Sequence, residues 1–256
     1  MPHPSASSLA SLRRRIARLE RQRPSSDWAR ASTGHAGIDA ALGGGLALGR
    51  LHELFAVEAS DAGAATGFAA MLASLVAHEG PMVWLREAEA EARGRLHGPG
   101  LAELGLDPAR LVLGVPREPL DLLRAAADVL RCAPIGVAVI ELWRQPHPLD
   151  LTASRRLAVA AETSGVTALL LRIAAAPAPS AAQTRWRVAA APSGALEAEA
   201  PGHPTFDLEL IRQRSGPQGL SWRVEWNRDT RTFAEPAPLS GAVVPLVEHR
   251  PVAVGG

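Results

Sequence analysis

The stretch Leu51-His52-Glu53-Leu54-Phe55-Ala56-Val57-Glu58-Ala59-Ser60-Asp61-Ala62-Gly63-Ala64-Ala65-Thr66-Gly67-Phe68 decides the fold. Leu51 to Val57 is a short apolar run, and Gly67 to His78 is Ala-rich with helical character. Small and polar residues separate them, so the segment reads as strand, turn and helix, the opening of a βαβ unit.

The pattern repeats outward. Pro81 to Leu85 predicts a strand, and Ala88 to Leu104 a helix interrupted by Gly98, Pro99 and Gly100. Leu111 to Val115 predicts a strand, Leu120 to Cys132 a helix, and Gly136 to Leu142 an apolar strand. Leu149 to Thr163 then reads as helix and Val166 to Ile173 as a buried strand. This alternation predicts a three-layer α/β core with a mostly parallel sheet over residues 31–195. Past an Ala, Pro and Ser connection, Arg185 to Ala190 and Leu208 to Arg212 read as further strands. Trp222, Val224 and Trp226 alternate with Arg223 and Glu225, and Ser215 to Gly219 supplies a hairpin turn before them. Residues 196–233 therefore form a C-terminal β extension. Residues 234–256, rich in Pro, Ala, Val and Gly, are expected to be a disordered tail.

Residues 1–30 hold seven Arg against Glu20 and Asp27, a local charge of +5 that leaves −4 for the rest. Ser8 can cap a helix on which Leu9, Leu12, Ile16 and Leu19 recur at spacings of three and four. Arg13, Arg14, Arg15, Arg18 and Arg21 fill its other faces, and Pro24 ends it. A short helix with one apolar stripe is unstable alone. It packs on its own domain, on another copy or on a partner, with nucleic acid as a weaker reading. The same choice applies to the face of Trp222 and Trp226, which is either core or a partner surface.

All 27 cationic residues are Arg, and Lys is absent. A GC-biased genome accounts for this, but it still excludes Schiff-base catalysis and a phosphate-binding lysine. The lone Cys132 permits no internal disulfide and no metal cluster, and the eight His show no ligand spacing. There is no signal-peptide pattern, and no apolar run reaches the roughly 18 residues of a membrane span. A cytoplasmic protein without membrane contact is expected.

A phosphate loop needs small residues so that backbone N–H groups can surround the phosphates, a Lys for the β and γ oxygens, and a Ser or Thr for Mg²⁺. Gly63 and Thr66 are present, but Ala64 stands where the Lys would fall and Ala56 where the leading Gly would. Two readings follow: a structural turn that no longer binds nucleotide, or weak residual binding. The order Ser32-Thr33-Gly34, Ile38-Asp39-Ala40-Ala41-Leu42-Gly43-Gly44-Gly45-Leu46 and Gly49-Arg50-Leu51 resembles the lead-in to the nucleotide loop of RecA. The loop Asp61 to Phe68 with the strand Val83-Trp84-Leu85-Arg86 resembles a narrower group, the ImuA family. These are RecA-like accessory proteins of DNA-damage-induced mutagenesis, encoded with the polymerase-like protein ImuB and an error-prone polymerase.

The resemblance implies a RecA-type P-loop-NTPase core and a place in translesion synthesis. It also implies positions for the catalytic groups. The metal-holding acid falls on Glu141, the catalytic carboxylate on Glu87 or Glu89, and the γ-phosphate sensor on Leu171-Arg172. An Arg cannot act as a neutral amide, so that sensor is altered. With Gly63, Ala64, Thr66 and Glu141 as a degenerate phosphate site, neither ATP nor Mg²⁺ is expected as a cofactor, and no catalysis. The first DNA loop falls on Trp143-Arg144, a stacking aromatic and a cation. The expected function is a non-catalytic adaptor with ImuB as direct partner. The polymerase is reached through the complex, RecA is a further partner, and DNA contact is weak or indirect. A weak ATPase and a SulA-like division inhibitor are the alternatives.

Overall fold

The computed structural model describes residues 29–77, 80–194 and 202–236. The basic helix expected over residues 8–23, with Leu9, Leu12, Ile16 and Leu19, lies outside them, as does the tail beyond residue 236. Strands β3 (Leu51–Ala56), β4 (Met82–Arg86), β6 (Val137–Trp143) and β7 (Thr167–Ile173) form the buried centre of a nine-stranded sheet, with β5 (Leu111–Gly114) at one edge. β3 pairs in parallel with β7, β7 with β6, β6 with β4 and β4 with β5. On its other side β3 pairs in parallel with β8 (Thr184–Ala190). The sheet then turns antiparallel through β9 (Thr205–Gln213), β10 (Leu220–Asn227) and β11 (Thr232–Ala234). The C-terminal strands therefore extend the core sheet itself.

Helix α2 (Ala62–Val76) covers one face, and α5 (Pro119–Val129) and α6 (Leu151–Ser164) cover the other. With the preceding 3-10 turn, α2 makes an 18-residue apolar stretch, Ala59–Val76, long enough by length and composition to cross a membrane. That corrects the expectation of no such run. Its composition is accounted for by packing, because Ala65, Phe68, Ala69, Ala70, Met71, Leu72, Ala73 and Val76 are all buried. The interrupted helix resolves into α3 (Ala88–Arg93) and α4 (Gly98–Glu103), with His97 capping the second.

The segment before β3 shows why its residues are chosen. Thr33 donates to Asp39 Oδ1 through both N–H (2.9 Å) and Oγ1–H (2.8 Å), and Ser32 Oγ–H donates to Asp39 Oδ2 (2.6 Å). Asp39 lies in α1 (Ala36–Ala41), so the carboxylate locks the helix to the strand before it. That strand, β1 (Arg30–Ala31), pairs antiparallel with β2 (Leu46–Ala47). Gly45, at φ +119°, enters β2 where a Cβ would collide with the Ala31 carbonyl.

Candidate functional site

Ligands of open α/β sheets bind at the carboxyl ends of the strands. Here β3 ends at Ala56, and the chain passes through Val57, Glu58 and a 3-10 turn over Ala59–Asp61 before α2 begins. The Asp61 N–H donates to the Glu58 carbonyl (3.2 Å), so the turn closes on itself. Asp61 Oδ1 accepts the Ala190 N–H (3.0 Å), which ties the turn to the end of β8. Ala64 packs against the core, and Thr66 lies half-buried in the second turn of α2. Gly63 is exposed, and a Cβ there would meet nothing within 4 Å. From Val57 to Phe68 the residues carry two carboxylates, Glu58 and Asp61, and no cation. The positive end of a helix dipole favours an anion, and Asp61 already supplies one at the N-cap. This residue set does not fit a polyphosphate with its magnesium ion.

Glu141 sits at the end of β6 as expected, but it is 1% exposed and its oxygens are engaged. Arg86 donates from Nε to Oε2 (3.0 Å) and from Nη2 to Oε1 (3.1 Å), a bidentate pair. Trp84 Nε1–H donates to Oε2 (2.9 Å), and Trp143 Nε1–H reaches Oε1 at 3.5 Å. Arg86 is itself 4% exposed and donates onward to Glu91 (2.9 Å) and to the carbonyls of Gly94 (2.8 Å) and Ala90 (3.4 Å). A carboxylate held this way is a structural anchor, with both oxygens engaged by the chain's own donors. Sequence reading missed Trp84 and the pairing role of Arg86, because only the parallel register sets Arg86 opposite Glu141.

The two carboxylates expected near the second strand separate in environment. Glu89 is exposed and bonded by Arg93 (2.7 Å), which lowers its pKa. Glu87 is buried, and desolvation pushes its pKa up to about 7, opposed by a hydrogen bond from the Trp143 backbone and reinforced by Glu89 and Glu141. Its Oε1 has no protein partner. Arg172, 2% exposed, stacks its guanidinium 5.7 Å from the Phe55 ring centroid and donates to Gln145 Oε1 (2.5 Å) and the Arg144 carbonyl (3.1 Å). Arg185 lies over the same ring at 5.2 Å and pairs with buried Glu53 at 2.8 Å. Burial lowers the Arg172 pKa. The sensor position is thus packed as part of the core.

The expected base-stacking residue is also spent. Trp143 is buried, and Arg93 already lies 4.5 Å over its ring. Arg144 is exposed but pairs with Glu89 (3.5 Å), at a left-handed φ of +57°. On the C-terminal strands the aromatic face is core. Trp226 is fully buried, 4.9 Å from Phe233, and Phe68 of α2 meets Phe233 at 5.1 Å and Phe206 at 5.6 Å. Trp222 is half-buried against Trp186 at 6.0 Å. Trp226 is therefore removed as a partner contact. The opposite face carries the cross-strand pairs Arg187–Glu209 and Arg223–Asp207. His52 is core too. Burial lowers its pKa to about 4 and keeps it neutral, and because a carbonyl can only accept, Nε2–H donates to the Ala47 oxygen (2.8 Å) while Nδ1 accepts from Thr184 (2.7 Å).

The Protein ImuA chains from two strains of Caulobacter vibrioides are each 34% identical to this chain over 206 residues, covering 73% of this chain and 80% of theirs. The chain belongs to the ImuA family. No family model matches it. The crystal structure of the RadB recombinase superposes with a TM-score of 0.54 at 14% identity, covering 81% of this chain and 100% of that one. That likeness establishes a RecA-like fold. In this ImuA-family chain, buried side chains of its own, Glu141, Arg86 and Arg172 among them, occupy the carboxyl ends of the central strands.

Replacing Arg86 by Met alone is expected to cost about 3–5 kcal/mol in urea unfolding, since it strands the buried Glu141 carboxylate. Glu141→Leu is expected to cost less, because Arg86 keeps Glu91, and the double variant is expected to lose less than Arg86→Met alone. Glu87→Gln tests the buried carboxyl. The folded pKa near 7 exceeds the ordinary value of 4.5, so the stability linked to the bound proton is full below 4.5 and lost as pH rises through 7. His52 slopes the other way, losing stability as pH falls from 6.5 to 4. The difference in Tm between Glu87→Gln and the parent cancels His52. It is expected to grow from near zero at pH 4.5 to roughly 6 °C or more in favour of the variant at pH 8.

Proposed function

We propose that this ImuA-family chain is a non-catalytic, RecA-like adaptor in a cytoplasmic error-prone translesion synthesis complex. ImuB is its direct partner, and the error-prone polymerase is reached through that complex. The observation that carries the non-catalytic part is Glu141: the acid at the metal-holding position is sealed beneath Arg86, Trp84 and Trp143. The acidic turn at Glu58 and Asp61 supports the same reading, since two carboxylates without a cation repel a polyphosphate. Family membership supports the mutagenesis role. For the partner contact, the Arg-rich segment with Leu9, Leu12, Ile16 and Leu19 remains the proposed surface, with Trp226 now given over to packing and Trp222 half-buried against Trp186.

Calorimetry of the purified chain with Mg-ATP at millimolar concentration is expected to show no saturable binding. A Gly63→Ala, Thr66→Ala variant should restore damage-induced mutation frequency to a deletion strain within about twofold of the parent. Micromolar ATP affinity, or failure of that stable variant to complement, overturns the non-catalytic reading. Leu12→Glu with Ile16→Glu is expected to abolish co-purification with ImuB while melting is unchanged. Retained co-purification removes this segment from the contact.

A further inference from the structure

Among the described residues, seven large hydrophobic side chains are exposed, and four of them fall within nine residues: Val112 and Leu113 on the edge strand β5, Val115 just after it and Leu120 in the helix that follows. β5 is that edge, paired only with β4. Its sequence Leu111-Val112-Leu113-Gly114 has no charge and no proline, and its register with β4 runs unbroken from Met82↔Leu111 to Leu85↔Gly114. Proteins ordinarily blunt such an edge with charges, prolines or bulges, because its unpaired N–H and C=O groups are a template for another strand. The opposite edge is managed: β11 is three residues long, and its Phe233 N–H is taken by the Thr33 carbonyl. Val112 and Leu113 are 57% and 42% exposed although successive strand residues point to opposite faces, so the edge is apolar on both sides. An added strand satisfies such a backbone and covers both faces together.

We infer that the occupant is β5 of a second copy of this chain, paired antiparallel about a two-fold axis normal to the sheet. Directly opposed residues in an antiparallel pair share a face, so the axis must pass through a residue position. At Val112 it sets Leu111 of each copy against Leu113 of the other. It also brings the entry turn carrying Asp107 towards the exit turn carrying Arg117, opposite charges that are both exposed. The contact is isologous and closes, joining two nine-stranded sheets into one. No charge on the strand itself selects a different partner.

The test uses the full chain. Sedimentation equilibrium between 1 and 100 µM is expected to show a monomer–dimer equilibrium, abolished by Leu113→Lys at an unchanged Tm. In a Cys132→Ser background, Val112→Cys is expected to give an interchain disulfide on mild oxidation, because opposed residues lie within disulfide reach. A chain that stays monomeric to 100 µM overturns the inference and leaves the edge to a strand of another protein. A dimer that persists in Leu113→Lys, with no Val112→Cys cross-link, also overturns it by placing the contact elsewhere.

Discussion

A carboxylate that water cannot reach must be surrounded by donors or lose its charge. Glu141 takes the first course, and much of the molecule is arranged around it. Arg86 reaches it from the neighbouring strand, while the indoles of Trp84 and Trp143 approach from either side. The guanidinium also holds the carbonyls of Ala90 and Gly94 and the Glu91 carboxylate, so α3 is fastened to the ends of β4 and β6. A buried ion pair adds little net stability over an apolar replacement, because desolvating both charges offsets their attraction. What it confers is geometry. The strand ends at which a RecA-like fold would handle a nucleotide are closed by the chain's own side chains.

The opposite face is closed by the same means. Phe55 carries two guanidinia, those of Arg172 and Arg185, and Glu53 neutralises the second. Arg144 and Ala174 end β6 and β7 in left-handed conformations, at φ +57° and +50°, where an L side chain costs about 1 kcal/mol or more. The bond from the Arg144 N–H to the Ile173 carbonyl (2.7 Å) holds the two strand ends together there. The phosphate turn completes the picture. Lys is absent and Arg abundant, yet the turn holds Ala64 and two acids and no cation.

Most of the sheet was legible because its strands are short apolar runs between Ala-rich helices, and each strand expected within the described residues is present to within a few residues at its ends. The strands β1, β2 and β11, two or three residues long, carry no detectable period. Helix α2 starts at Ala62 rather than near Gly67, because that glycine lies in open space and is tolerated inside the helix. At the site, the position of Glu141 was readable but its state was not. Its partner lies 55 residues away, and nothing local in either segment announces the pairing. For Trp143 and Trp226 the sequence left packing and availability both open, because alternation identifies an apolar face without saying what covers it.

By itself, the sequence determined the βαβ order, the RecA-like lead-in and the absence of any lysine from the turn after β3. Each of these is a property of residue type and spacing along the chain. It also held the acidity of the turn, visible at Glu58 and Asp61. Only the tertiary structure decided which charges are sealed and which side chains face solvent. Parallel pairing of β4 with β6 brings Arg86 to Glu141, and the nine-strand order puts β5 at an edge, without a second strand among the described residues, while burying Trp226. The physical reason is that a charge's energy and a side chain's exposure depend on neighbours supplied by distant segments, which no local pattern contains.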